Sequence, residues 1–273
     1  MKIKSLTHAS FDEIVECFLL AFENYYVKFP TDKNYYKNRW TAAKVDWNLS
    51  YGMFDQDKLI GFIIHAVDTR FGTRIAYNAG TGVIPEYRGK RIVNSIYKFA
   101  ILELKKNGIE KSTLEVIQEN ERAIRAYQNV GFKKSKEYYC FDGTIKTDST
   151  DLIQLKEITK EAFNWQQCIN QEFYAWDFQK ETIIERDYKY FEVYNKDKIE
   201  SYFILNPENK YLAQFDILVE DKDAWLRLFD GINQISKEAK IVNVDARNSE
   251  KIEAINIAQL KKTVNQYEME LEL

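Results

Sequence analysis

The feature that most constrains how this chain can fold is that it repeats itself. Residues 120–141 align without gaps on residues 248–269, an offset of 128. The matches include Ile124 with Ile252, Ala126 with Ala254, Phe132 with Leu260, Lys133 and Lys134 with Lys261 and Lys262, Ser135 with Thr263, and Tyr139 with Tyr267. Earlier in the chain, the stretch from Phe54 to Leu59 matches the stretch from Tyr194 to Ile199 at an offset of 140. Either match alone is within reach of chance, because amphipathic segments resemble one another. Two matches in the same order point to a duplicated domain. The fall in offset from 140 to 128 removes 12 residues from the second copy between its hairpin and its last helix, so a ligand loop in that interval is lost or remodelled. The repeat places the boundary near Asp148, with a first domain over residues 1–148 and a second over 149–273.

Each copy reads as a mixed α/β unit of the α+β type, built on one sheet. Ser10, with Glu13 three residues later, caps an amphipathic helix over 10–22, and a second helix is predicted over 32–45. Apolar runs at 50–54 and 59–64 flank a polar turn and read as a hairpin, followed by a strand over 74–83. Ile92, Val93, Ile96, Tyr97, Ala100, Ile101 and Leu104 share a helical face that Gly108 can stop. A strand over 113–117, a helix over 121–129 and a strand over 132–141 complete the first copy.

At 273 residues the chain is long for one compact domain and ample for two. Its 45% hydrophobic content supplies two cores, and with 10 Gly and 3 Pro no stretch reads as a linker, so the copies are expected to be joined closely. Cys17, Cys140 and Cys168 are odd in number and lack ligand spacing, which predicts buried thiols and no metal. No signal-peptide core or membrane-length run occurs, so we expect a cytoplasmic chain without membrane contact. Residues 1–148 carry 23 Lys and Arg against 18 Asp and Glu, leaving the excess of acidic residues in the second half. A basic first half suits a polyanionic ligand or is ordinary surface charge, and the excess is too small to argue for nucleic acid.

The segment from Gly80 to Asn94 carries the chemistry. It runs from a strand through a glycine-bearing turn into a helix, whose first amides have no intrahelical acceptor and whose dipole adds partial positive charge. Gly89 lets the main chain approach a ligand, and Arg88, Lys90 and Arg91 add three positive charges. This is an anion site of the kind that holds a pyrophosphate, or else a helix whose first turn is merely basic.

These residues carry a resemblance. Val83, Pro85, Tyr87, Arg88, Gly89 and Lys90, followed by Asn120, Ala123, Tyr127, Gly131 and Phe132, resemble the two motifs of the GNAT superfamily of acyl-CoA N-acyltransferases, over roughly residues 1–145. The resemblance implies tandem GNAT folds with a mixed, mostly antiparallel sheet flanked by helices, and acetyl-CoA as cofactor. It implies that Arg88, Gly89, Lys90, Arg91, Ile92, Val93 and Asn94 wrap the pyrophosphate, that Gly82 and Val83 hold the pantetheine arm through their main chain, that Asn120 contacts the cofactor, and that Tyr127 is the general acid. One departure is plain: Arg91 and Val93 stand where the family has small residues, so close approach is harder. Tyr127 also reads as a buried structural tyrosine beside Ile124.

The implied reaction is attack by a primary amine of a small molecule or peptide on the thioester, with a monomer or homodimer as the expected assembly. The usual carboxylate base is missing from the strand over 74–83, which leaves Glu23, His65 and Glu115 or a water chain as candidates. The second copy has Leu218 to Trp225 in place of the loop, without glycine and with three carboxylates, and Ile255 and Gln259 in place of Tyr127 and Gly131, so it is expected to keep its fold without the cofactor. A non-catalytic acyl-CoA-binding or scaffold protein and an aminoacyl-tRNA-dependent transferase are the alternatives, the second disfavoured by the Arg88-Gly89-Lys90 loop.

Overall fold

The first helix starts where its cap residues require. Ser10 Oγ accepts the Glu13 amide, while the Glu13 carboxylate accepts the Ser10 amide at 2.7 Å, so two donors that no helical turn can satisfy are paired reciprocally. In this computed structural model, which describes residues 1–147, 153–168 and 170–273, strand β1 (Lys2–Ser5) precedes helices α1 (Phe11–Ala21) and α2 (Lys33–Ala42), the latter capped by Asp32. Strands β2 (Tyr51–Asp55), β3 (Lys58–Arg70) and β4 (Thr73–Val83) follow as an antiparallel run. Helix α3 (Ile92–Lys106) then crosses to β5 (Lys111–Ile117), parallel to β4, and α4 (Glu121–Gln128) closes the copy. Next come β6 (Lys133–Thr144), β7 (Gln154–Ile158), the short α5 (Lys180–Ile183), β8 (Lys189–Asn195), β9 (Lys198–Asn206) and β10 (Tyr211–Ile217). The chain ends with α6 (Asp223–Ile235), β11 (Glu238–Asp245), α7 (Ser249–Ile257), β12 (Lys261–Lys262) and β13 (Gln266–Glu272). No helix among the described residues is long and apolar enough to cross a membrane.

Two compact units result: Met1–Ser135 with Glu268–Leu273, and Lys136–Tyr267. The first has the sheet order β1-β2-β3-β4-β5-β13, and the second β6-β11-β10-β9-β8-β7. Helix α1 packs on the face of the first sheet where Gly80 and Gly82 sit under Phe18 and Ala21, and α3 covers the opposite face, with Ile92 over Gly61. Each large apolar side chain buried there, such as Phe18, Phe62 or Ile96, contributes about 1.5–3 kcal/mol against exposure. In the second unit Phe191, Phe203, Trp225 and Leu228 share one cluster, and Phe163, Tyr174, Tyr190 and Tyr202 another.

The repeat predicted from the sequence holds in detail. Asn120 and Asn248 cap α4 and α7 alike, each accepting the amide three residues on, at 3.2 and 3.3 Å. Both helices end the same way, with Phe132 N–H bonded to Tyr127 O and Leu260 N–H to Ile255 O around the left-handed Gly131 and Gln259. The hairpins share a register as well: Phe54 and Tyr194 pair with Leu59 and Ile199 just past a bulge.

The division between the units differs from the expected one. The boundary near Asp148 lies outside the described residues, and the compact units part instead between Ser135 and Lys136. The strand over 132–141, read as completing the first copy, has most of its length in the second unit beside β11, while Glu268–Leu273 beside β5 belongs to the first. The copies have exchanged their final strands. Alternation along a strand says which face is buried but not which edge it joins, and duplicated strands carry matching patterns. The added segment is anchored by Leu273 N–H on Glu110 O at 2.8 Å, by Lys111 between Glu270 and Glu272, and by Ser135 on Glu268. Deleting residues 268–273 should therefore speed amide exchange in β5 strongly while β8 and β9 keep their protection. Unchanged exchange in β5 would contradict this strand assignment.

Candidate active site

Strands β4 and β5 start paired and then part. Their parallel register runs from Ile75 with Lys111 to Asn78 with Leu114, and the remaining residues of both strands are unpaired with each other. The parting coincides with a bulge: Ala79 is an extra residue in β4, inserted between the pairs Ile64 with Gly80 and His65 with Asn78. Past it, Ile84 N–H bonds to Ile60 O at 3.1 Å, so by antiparallel alternation Gly82 turns its main chain toward β3, whereas Thr81 and Val83 turn theirs toward the gap. Among the described residues no protein partner is found for Thr81 N–H or C=O. Gly82 is required for packing, since a Cβ there would stand 2.7 Å from both Ala21 Cβ and Phe62 Cζ.

The turn after β4 is a short 3-10 segment, Pro85–Tyr87, and Gly89 adopts a φ of +80° with open space around its Cα. Arg91, the residue before α3, is left-handed at φ 57° with no side-chain cap, a conformation that costs a non-glycine residue about 1–2 kcal/mol. The amides from Gly89 to Asn94 have no acceptor among the described residues, and they share one helix start. Lys90 lies over the Tyr87 ring at 4.5 Å, and Tyr87 donates to Asp55 at 2.8 Å. Arg91 is exposed, Val93 and Asn94 are half-buried, and Ile92 is buried in the core. Arg88 departs from its sequence reading: its guanidinium donates to Ala21 O at 2.9 Å and Val83 O at 3.2 Å, which ties the end of α1 to the end of β4.

The second unit closes the same edge. Strand β10 carries its bulge at Ala213, and Phe215, at the position of Thr81, again turns its main chain away from the neighbouring antiparallel strand. Here both groups are taken, because the Tyr174 hydroxyl donates to Phe215 O at 2.8 Å and accepts Phe215 N–H at 3.3 Å. Buried Lys251 donates to Tyr174 at 2.9 Å and pairs with Asp216, completing a plug of its own side chains. At the start of α6, Asp221 is held by Arg227, which keeps its carboxyl below the usual range. Ile255, opposite Tyr127, is fully buried.

A cluster of hydroxyls lies under the bulge of the first unit. Asn78 donates through Nδ2 to Thr81 Oγ1 and to the Tyr97 hydroxyl, both at 2.7 Å, and accepts the Gly80 amide. Tyr127, from α4, meets Tyr97 edge-on at 6.0 Å between ring centroids, and its hydroxyl faces Thr81 and Asn78. Burial pushes the phenols of Tyr127 and Tyr97 above the usual tyrosine range, so both stay protonated at neutral pH. Asn120, besides capping α4, donates to Tyr25 at 3.5 Å, and Tyr26 donates to Glu119 O, which joins the segment after α1 to the start of α4. The sequence did not single out Tyr97 or Tyr25. Tyr97 sits in an apolar helical row, and only a polar tip among Ile96, Ala100 and Leu104 hinted at a partner.

The three candidate bases fare differently. Glu23 is exposed beyond α1, and Glu115 accepts the Tyr77 hydroxyl at 2.9 Å on β5. His65 is fully buried, with Nδ1 2.7 Å from Leu49 O, and burial lowers its pKa to about 4. It is thus neutral at working pH but enclosed by the core. No group of carboxylates, histidines and cysteines arranged to hold a metal occurs among the described residues. Because the folded pKa of His65 lies below its unfolded value, the unfolded chain takes up its proton first as pH falls. Stability that is full above pH ~6.5 should decline toward pH 4, by up to about 1.4 kcal/mol per pH unit from this residue. His65→Gln should flatten that slope in urea titrations, and an unchanged slope would show that His65 is not the group responsible.

Comparison with known proteins bears on this geometry. The acetyltransferase (GNAT) family profile matches residues 12–132. N-alpha-acetyltransferase 30 of Schizosaccharomyces pombe is 31% identical over 91 residues, 33% of this chain and 61% of that protein. N-alpha-acetyltransferase MAK3 of Arabidopsis thaliana is also 31% identical over 91 residues, 48% of its length. The chain thus spans less than two thirds of the curated relatives it matches. A tandem GNAT protein from the clavulanic acid biosynthesis pathway superposes with a TM-score of 0.70 at 11% identity, covering 99% of this chain and 98% of that one. A GCN5-related N-acetyltransferase from Sphaerobacter thermophilus gives 0.67 at 10%, covering 99% and 95%. At such identities the likeness speaks for the fold alone, which is the expected tandem GNAT fold of mixed α/β type. Residues 12–132 thus match the acetyltransferase (GNAT) family, and the chain as a whole has the fold of tandem GNAT proteins.

Proposed function

We propose that the first unit is an acetyl-CoA-dependent N-acetyltransferase acting on a primary amine, and that the second has a structural role. The observation that carries this reading is the contrast between the two copies of one edge: open main-chain groups at Thr81 in the first, a Tyr174 plug on Phe215 in the second. The amides from Gly89 to Asn94 fit a pyrophosphate, with Lys90 and Arg91 supplying charge-assisted contacts. Arg88 supports this loop from behind by fixing α1 to β4. The main chain of Thr81 and the Val83 N–H fit the amide groups of a pantetheine arm, with Asn120 capping the helix that carries Tyr127. Acetyl-CoA, when bound, supplies the acetyl group as a thioester.

The protein's own contribution is placement and one proton. Tyr127 Oη carries a proton at neutral pH and lies beside Thr81, whose main chain faces the gap, so it is suited to protonate a departing sulfur. The proton released by the amine goes to solvent in this reading, because His65 is enclosed and Glu115 is engaged by Tyr77. The two curated relatives are N-alpha-acetyltransferases by name, which puts peptide N-termini first in a panel of acceptors.

Tyr127→Phe should lower kcat by roughly 100-fold while CoA affinity stays within a few-fold. Equal rates in the two proteins, measured by thiol release, would remove Tyr127 from the mechanism. Calorimetric titration should give one CoA per chain, weakened strongly by Gly89→Asp with Lys90→Glu. A stoichiometry near two, or binding indifferent to that pair of substitutions, would show that the cofactor lies elsewhere.

A further inference from the structure

Tyr97 is a costly choice for its position. It is fully buried on the core face of α3, where its neighbours Ile96, Ala100 and Leu104 are apolar, and phenylalanine would fill the same space without a hydroxyl to satisfy. A buried hydroxyl or amide without a partner costs about 1–3 kcal/mol. Here two such groups satisfy each other, since Asn78, itself buried, spends one amide hydrogen on the Tyr97 hydroxyl and the other on Thr81 Oγ1. That second contact exists because of the bulge. Residues three apart in a regular strand point to opposite faces, and the extra residue at Ala79 brings Asn78 and Thr81 to the same one.

The assembly has a single direction. Tyr97 and Phe132 both meet the Tyr127 ring edge-on, at 6.0 and 5.9 Å, and they meet each other at 5.4 Å, so three rings lock one another. The Tyr127 hydroxyl is thereby left facing Thr81 and Asn78.

We infer that Tyr97 is a positioning residue for transfer: Asn78 fixes its hydroxyl, and its ring, held in that place, packs edge-on against the Tyr127 ring and keeps the Tyr127 hydroxyl in one orientation. This rests on the reading of Tyr127 as the acid. As the thioester C–S bond breaks, the proton of the Tyr127 O–H would pass to the departing sulfur, leaving the phenolate oxygen beside the Thr81 hydroxyl, whose own hydrogen is not spent on Asn78. Tyr97 itself gains and loses no proton.

The test uses the full chain. Tyr97→Phe should lower kcat about 10-fold with KM for acetyl-CoA changed less than about threefold, and the double variant with Tyr127→Phe should be no slower than Tyr127→Phe alone. A merely structural role would slow both backgrounds by the same factor and would overturn the inference. The second readout needs no cofactor: in protein labelled at tyrosine 13Cζ, the Tyr127 resonance, assigned by its loss in Tyr127→Phe, should move in Tyr97→Phe and stay in place in Tyr35→Phe. An unmoved resonance overturns the inference whatever the rates. If Tyr127→Phe itself costs nothing, the acid assignment fails, and the resonance still decides whether Tyr97 positions Tyr127. Should Tyr97→Phe fold poorly, Asn78→Ser, which frees the Tyr97 hydroxyl without touching the ring packing, is expected to give the same rate and resonance changes.

Discussion

One inserted residue sets the geometry of the first unit. The bulge at Ala79 interrupts the β3–β4 ladder at the level where β4 and β5 part, and it brings Asn78 under Thr81. Without it, the strand would alternate regularly, and Thr81 would share a face with Ala79 rather than with Asn78. The parted strands expose main-chain groups that a sheet would otherwise consume. An unpaired donor or acceptor is tolerable at a site that water or a ligand can reach, and costly elsewhere. The two packing glycines, Gly80 and Gly82, let α1 press directly on this stretch and keep it from relaxing.

The second unit shows the same architecture with its edge filled by its own side chains. Its bulge survives at Ala213, its helix cap at Asn248 and its left-handed stop at Gln259. These features belong to the fold and persist. The open edge does not. Tyr174 and Lys251 occupy it, and cation–ring contacts from Lys251 to Tyr174 and Phe215 bury a charge that Asp216 neutralises. A buried charge of this kind is stable only with its partner in place.

Much of this was legible in the sequence, and the rest was hidden for identifiable reasons. The Ser10–Glu13 cap, the hairpin at Asp55 and the turn at Gly89 are local signals, and each formed where it was read. The duplication also emerged correctly, because Asn120 and Asn248 open helices by the same hydrogen bond. The contacts of the Arg88 side chain were not legible: a guanidinium in a basic loop suggests a phosphate, and nothing in the sequence reveals that Ala21 O and Val83 O lie within its reach. The relation of Asn78 to Thr81 was invisible because their spacing in a regular strand separates them. Tyr97 vanished into an apolar row for a similar reason, as its partner arrives from a strand 19 residues away.

The exchanged final strands have a consequence for how the chain comes into being. The sheet of the first unit stays unfinished, with β5 as a bare edge, until residues 268–273 have been synthesised and have returned to it. Closing a loop of that length adds little to the thermodynamic cost but delays the event, so the amino-terminal copy cannot mature ahead of the carboxyl-terminal one as separate domains normally do. Each copy has thereby become part of the other's assembly. A second copy whose edge is filled by its own side chains is then still required for the first to complete its sheet, and any constraint on the first fold extends to the second.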